Sequence, residues 1–295
     1  VAISAKSDRK STPLFYLVLR IQNPAPFIFS AHEDWEQMSL GDRYTNNLIE
    51  VEGLTKVFAT PQGEVQAVAG VSFSIAEGEV VGLLGANGAG KTTLMRILST
   101  LLAPTSGHAR IAGLDVVQHP LEVRKQIGLL SGSTGLYNRL TPRQVLLYFA
   151  GLYGLNRKEQ KSRVEELVAE WGITPFADQL CDRLSTGQLQ RTSIARALVG
   201  RPKVLLFDEP TSGLDVLTSQ TMMEFIESCR DKGITVLYST HIMSEAERLC
   251  QRVILLHKGK EVWHGLYNDL LAETGETRLE AAFLKKVGYQ QGEDE

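Results

Sequence analysis

The sequence predicts an α/β protein with a mostly parallel sheet and an inserted helical subdomain, and three observations carry that prediction. Short, nearly continuous apolar runs recur, as in strands covered on both faces: Glu79-Val80-Val81-Gly82-Leu83-Leu84, Val204-Leu205-Leu206-Phe207, Thr235-Val236-Leu237-Tyr238 and Val253-Ile254-Leu255-Leu256. Helical periodicity lies between them, which implies parallel strands with helices on both faces. From about residue 115 to 185 the texture changes to helical signals with little strand.

Residues 1–46 read differently from the rest. The apolar stretch Leu14-Phe15-Tyr16-Leu17-Val18-Leu19 follows Lys6, Arg9 and Lys10, in the manner of a secretory leader. Arg20 cuts it short, Pro24 and Pro26 follow, and no clean small-residue cleavage site is present. This segment is read as an unstructured or mis-annotated extension, with translation beginning at Met38; the mass of the native N-terminus tests that. Recognisable structure begins at Leu48-Ile49-Glu50-Val51. Leu94, Ile97, Leu98 and Leu101 recur at i, i+3, i+4 and i+7 and predict a helix. Thr141-Pro142-Arg143-Gln144 is a capping box with proline at the first helical position, and Leu140 and Val145 stand at its staple positions. Val164, Leu167, Val168 and Trp171 share one face of a further helix that Gly172 ends. The polar, acidic tail at 289–295 predicts disorder.

At 295 residues and 43% apolar content the chain can bury one substantial domain. A net charge of −3 argues against nucleic-acid binding as the main task. Cys181, Cys229 and Cys250 are scattered, which fits a reducing compartment better than a disulfide framework or a zinc site. No run reaches the ~18 apolar residues of a membrane helix, so any membrane role is borrowed from a partner.

The chemistry concentrates in two motifs. Gly85-Ala86-Asn87-Gly88-Ala89-Gly90-Lys91-Thr92 is a phosphate-binding loop between an apolar strand and an amphipathic helix. Its glycines let backbone N–H groups turn toward one anion, and the following helix adds its positive end. Lys91 would reach the β and γ phosphates of a nucleotide, Thr92 would give its hydroxyl to Mg²⁺, and Thr93 could bond the α phosphate. Downstream, the strand ending in Phe207 delivers Asp208-Glu209. A buried strand ending in two carboxylates is costly unless something pairs them. Asp208 would hold Mg²⁺ through water, leaving Glu209 to orient and deprotonate the attacking water.

Between the two lies Leu184-Ser185-Thr186-Gly187-Gln188. Ser185 and Gln188 form another capping box, with Leu184 and Leu189 at its staple positions, so a helix begins here. An N-cap serine beside Gly187 is also an anion site. The phosphate loop already supplies a full set of contacts, which leaves open whose anion this is.

The pentapeptide resembles the signature, usually LSGGQ, of ATP-binding cassette (ABC) ATPases. The rest of that pattern follows in register over about residues 48–288. Phe58, in Leu54-Thr55-Lys56-Val57-Phe58, resembles the aromatic that stacks on adenine. Asp208-Glu209-Pro210-Thr211 resembles the acidic strand end. Ser212-Gly213-Leu214-Asp215 resembles the segment that crosses to the partner subunit, with Asp215 in it. Ser239-Thr240-His241 resembles the switch histidine that senses the γ phosphate. The resemblance implies a phosphate-loop NTPase core with an N-terminal antiparallel β part, and ATP and Mg²⁺ as ligands. It also implies a second cassette whose signature acts in trans, an integral membrane permease, and a place on the cytoplasmic membrane face.

Two departures stand out. Thr186 replaces the usual glycine. Gly132, in Ser131-Gly132-Ser133-Thr134-Gly135, stands about where the family places a glutamine, and no residue is assigned that role. A phosphate-loop kinase or GTPase would have no use for the pentapeptide and His241. No long coiled coil interrupts the cassette and no motif repeats, unlike chromosome-maintenance and translation-factor ABC ATPases. Residues 129–142 (LLSGSTGLYNRLTP) resemble exporter ATPases that pair with separate permeases, including sodium-efflux types; drug or lipid export would look much the same. The endings Glu261-Val262-Trp263-His264-Gly265 and Leu279-Glu280-Ala281-Ala282-Phe283-Leu284 fit as well. The competing reading is a soluble ABC-type ATPase with no transport role.

Overall fold

The structure, a computed structural model, describes residues 47–61, 63–131 and 135–289. The expectations for residues 1–46, for the acidic residues from Gln290 onward and for the loop at Gly132 lie outside these described residues.

In chain order the strands and helices are β1 (Asn47–Thr60), β2 (Gly63–Ala76), β3 (Val80–Leu84), α1 (Lys91–Leu98), β4 (Ser106–Ile111), β5 (Leu114–Asp115), α2 (Pro120–Gln126) and β6 (Ile127–Ser131). Then come α3 (Pro142–Leu152), α4 (Arg157–Glu170), α5 (Thr186–Leu198), β7 (Val204–Asp208), α6 (Val216–Asp231) and β8 (Thr235–Thr240). The described residues end with α7 (Met243–Leu249), β9 (Arg252–His257), β10 (Lys260–Leu266), α8 (Tyr267–Thr274) and α9 (Leu279–Lys286).

The strands form an antiparallel sheet of order β2-β1-β4-β5 and a second sheet of order β10-β9-β3-β8-β7-β6. In the second sheet every pairing from β9 to β6 is parallel and only β10 runs antiparallel. Its apolar runs are continuous because alternate residues serve two cores. Val81, Leu83, Val204, Leu206 and Leu237 face the core shared with α1 and the antiparallel sheet. Val80, Leu84, Leu205, Phe207, Val236 and Tyr238 face the core formed with α6, α7 and α9. Because β3, β8 and β7 are parallel neighbours, the segments that leave them emerge on one edge of the sheet. That edge carries the site.

A third core joins α3, α4 and α5. Both predicted boxes are present: Thr141 and Gln144 cap α3, and Ser185 and Gln188 cap α5, each by reciprocal bonds. Asn156 and Glu159 cap α4 in the same way, a box whose asparagine the sequence reading passed over. Gly172 takes a φ of 58° just after α4, as a left-handed stop requires.

Two expectations need correction. Leu101 does not extend the helix after the phosphate loop. α1 ends at Leu98, Thr100 turns to a φ of 60°, and Leu101 is 62% exposed. The stretch from about 115 is not uniformly helical either. β6 pairs in parallel with β7, Ile127 opposite Val204, and so belongs to the main sheet. Gly128 lets α5 pack closely on this strand: a Cβ there would lie 2.3 Å from the Ala197 carbonyl oxygen. The helical core therefore gathers residues 145–199.

Candidate active site

The phosphate loop leaves β3, whose five residues are all buried. Gly85 is required by space, since a Cβ there would meet the Leu256 carbonyl oxygen at 2.4 Å and the Ala89 methyl at 2.9 Å. Gly90 is required by both conformation and space: its φ is 105°, and a Cβ would lie 2.3 Å from the Ala67 carbonyl oxygen. It is also the N-cap of α1. Helices α3, α4, α5 and α6 each carry a side-chain cap, whereas α1 has none and no acidic residue in its first turn. Its first N–H groups therefore remain available to an anion.

Lys91 is only 4% exposed. Its ammonium donates to the carbonyls of Gly85 (2.8 Å) and Ala86 (3.2 Å) and pairs with Glu209 Oε1 at 3.2 Å. A cleft of about 280 Å³ opens here, lined by residues 87–93 together with Ala67 and Glu209.

Asp208 ends β7 opposite Ser239 of β8 and is 7% exposed. Its Oδ1 accepts from the hydroxyls of Thr92 (3.2 Å) and Ser239 (2.8 Å). One carboxylate beside one hydroxyl, at the mouth of a phosphate loop, is a donor set of hard oxygens that fits Mg²⁺, with Asp208 and Thr92 as the residues that would hold it. Glu209 takes a φ of 49°, a left-handed conformation that costs a non-glycine residue about 1–3 kcal/mol. Its N–H is anchored at 3.1 Å on both the carbonyl and the hydroxyl of Ser239. The turn delivers its carboxylate between Lys91 and His241, whose Nδ1 is 3.4 Å from the same Oε1. Ser239 is the residue that the sequence did not reveal, because only the pairing of β8 with β7 sets it opposite Asp208.

The structure thus brings residues 85–93, Asp208, Glu209 and His241 together. Phe58 stands apart, outside the cleft lining, exposed on the β1–β2 hairpin with the Lys56 ammonium 5.2 Å from its ring centre. Residues Leu184, Ser185, Thr186, Gly187 and Gln188 also lie outside the lining. Ser185 and Thr186 are exposed. Ser185 accepts from Gln188 N at 3.4 Å, while Gln188 Oε1 accepts from Ser185 N at 2.9 Å. Leu184 is buried and Leu189 packs on the same core, as staple positions require. Asp215 caps α6, accepting from the N–H groups of Leu217 and Thr218 at 3.0 Å each and from the Thr218 hydroxyl at 2.8 Å. The bonds from Thr218 hold its carboxyl below the usual range. Thr218 Oγ1 in turn sits 3.5 Å from where a Gly187 Cβ would lie, so the starts of α5 and α6 converge.

The family model described as ABC transporter matches residues 68–212. The ABC transporter ATP-binding protein NatA of Bacillus subtilis is 41% identical over 241 residues, covering 81% of this chain and 98% of that protein. The chain belongs to the ABC transporter ATP-binding family. The doxorubicin resistance ATP-binding protein DrrA of Mycobacterium tuberculosis is 37% identical over 232 residues, covering 79% of this chain and 70% of that protein. Among solved structures, a dimeric ATP-binding cassette in a post-hydrolysis state, bound to ADP and Pi, aligns with a TM-score of 0.66 and 29% identity. The alignment covers 74% of this chain and 98% of that one. As a member of this family the chain is an ATPase, the ATP-binding and ATP-hydrolysing subunit of a transporter. No helix among the described residues is long and apolar enough to cross a membrane.

Proposed function

We propose that this cassette powers export through a separate membrane permease, working as a head-to-tail dimer on the cytoplasmic membrane face. Glu209 is the general base and His241 its γ-phosphate-sensing partner. The observation that carries this is the clustering of one carboxylate oxygen with both Lys91 and His241 on a strained, doubly anchored turn. Lys91 is held by two loop carbonyls, so its charge is in position before nucleotide arrives and little reorganisation is needed. Thr92 and Asp208 would hold Mg²⁺, which when bound neutralises charge on the β and γ phosphates. Glu209 orients the attacking water and takes its proton. Phe58 offers an exposed ring for adenine.

The signature supplies the other half. Ser185 and the free N–H groups at the start of α5 lie outside the cleft lined by the chain's own phosphate loop. They are therefore assigned to the γ phosphate held by a second copy, with Asp215 at the crossing. The resemblance of residues 129–142 to exporters, and the drug resistance for which DrrA is named, support the direction of transport.

Glu209→Gln should still bind ATP while losing nearly all turnover, and should accumulate as an ATP-bound dimer on size-exclusion chromatography. Unchanged turnover would discard the general-base assignment. Lys91→Ala should lose ATP binding. Isolating the native protein from detergent-solubilised membranes should recover a permease with it; a protein that never enters the membrane fraction returns the reading to a soluble ATPase.

A further inference from the structure

We propose that Glu245 is a positioning residue that locks the turn after Glu209 and the turn at His241 into one unit. The proposal rests on the hydrolytic roles given above to those two residues, and Glu245 itself touches neither. It stands in the first turn of α7, and its Oε2 accepts three hydroxyl groups: that of Tyr238, that of Thr211 at 3.0 Å and that of Thr240 at 3.2 Å. The donors come from two distant segments. Thr211 follows Glu209 by two positions, on the segment leading to Asp215. Thr240 immediately precedes His241, and its oxygen also accepts the N–H of Ile242 at 2.9 Å, bracing that turn from the far side.

A first-turn glutamate that merely complements the helix dipole needs no such partners and is stabilised equally well facing water. Here all three donors are buried: Tyr238 is fully enclosed, Thr240 is 2% exposed and Thr211 is 5% exposed. Burial, and then the hydrogen bond to Glu245, hold the Tyr238 phenol above its usual range, so it remains a donor. Charge-assisted bonds from enclosed hydroxyls to one carboxylate oxygen are strong and directional. They cross from the exit of β7 to the exit of β8. These are the two strand ends whose side chains must stay in register for Glu209 and His241 to face the same phosphate.

The test is ATP turnover by the full chain, with thermal unfolding alongside. Glu245→Gln keeps the shape but presents a neutral acceptor. It should lower kcat on the order of 10–100-fold, as small misplacements of a catalytic group do, while KM stays within about twofold. Thr240→Val and Thr211→Val should each give a smaller kcat loss, and Glu245→Asp should not rescue, being one carbon short. In single-turnover experiments, adding Glu245→Gln to Glu209→Gln should cost clearly less than the product of the two separate effects, because one of the two groups it positions is already gone. Normal kcat in folded Glu245→Gln, a loss confined to KM, or full multiplication of the two effects would each overturn the proposal. If Glu245→Gln fails to fold, the kcat of Thr240→Val decides in its place. An inactive Glu209→Gln beside a fully active Glu245→Gln removes the positioning role alone. An active Glu209→Gln removes the general-base assignment and this proposal with it.

Discussion

Replacing Ser185 by alanine separates the helix cap this serine makes from the phosphate contact proposed for it. In its own chain it is an N-cap, and the structure bounds what that contributes. The hydroxyl accepts from Gln188 N at a long 3.4 Å, in an exposed position, and the return bond from Ser185 N to the Gln188 side chain at 2.9 Å survives the substitution. The cost should therefore fall in the lower part of the N-cap range, about 0.5–1 kcal/mol. For a domain of this size that lowers Tm by roughly 2–4 °C or less, and it leaves the protein folded at 25 °C. In the partner's site the same hydroxyl would bond a phosphate, and a hydrogen bond to a charged group is worth about 1.5–3 kcal/mol. That corresponds to a turnover loss of roughly 10–150-fold. Thr141 is the internal control. It caps α3 in the same subdomain by the same box, accepting from Gln144 N at 3.3 Å. Thermal unfolding and steady-state ATP hydrolysis should show Ser185→Ala and Thr141→Ala losing similar stability, and only Ser185→Ala losing turnover. Equal turnover in the two variants would refute the reasoning, because the signature serine would then be nothing more than a helix cap.

Three further outcomes follow from the geometry. Gly85→Ala drives a methyl to within 2.4 Å of the Leu256 carbonyl oxygen, so it should cost about 1–3 kcal/mol in thermal unfolding and weaken ATP binding as the loop shifts; a wild-type Tm with wild-type affinity would contradict this. Asp215 has its carboxyl held below the ordinary carboxylate range, first by the Thr218 N–H. Its folded value is depressed, so the stabilisation from its charge is complete above about pH 4 and is lost as pH falls through that lowered value. The Tm of the wild type should exceed that of Asp215→Asn near neutral pH and converge with it in acid; a difference that does not change with pH would be contrary. Burial pushes the thiols of Cys229 and Cys250 up to about 12. At pH 8 they should resist a thiol reagent until the protein unfolds, and rapid labelling of native protein would count against the packing described.

Local signals were legible in the sequence because their physics is local. The boxes at Thr141 and Ser185 depend on residues three apart, and both are present. The apolar strands were legible because both faces of the sheet are covered. What depended on distant partners was not. Leu101 fits the helical period, yet the chain turns at Thr100 before reaching it. Residues 127–131 are as short as β3 and nearly as apolar, but they lie within a stretch dominated by helical signals, and only their pairing with β7 shows them as an edge strand. Ser239 anchors both Asp208 and Glu209 only because β8 lies beside β7 in register. Asp215 was read as a crossing residue, and its work in the fold is to cap α6. The phosphate loop, Asp208, Glu209 and His241 converge because three parallel strands end together. Ser185 was legible as the cap of α5, but no spacing within one chain could name the anion proposed for it.

Mixing two disabled chains asks that question directly. Lys91→Ala removes the loop's cation but leaves the signature intact. Ser185→Asp keeps a good N-cap yet sets a negative charge where the phosphate should sit, and leaves the loop intact. Each variant alone should fail to hydrolyse ATP. Mixed in equal amounts, the heterodimers hold one composite site built from the intact loop of one chain and the intact signature of the other. Turnover should return to roughly a quarter of wild type under random pairing of a two-site dimer. No recovery on mixing, or full hydrolysis by Ser185→Asp alone, would contradict a site shared between two copies.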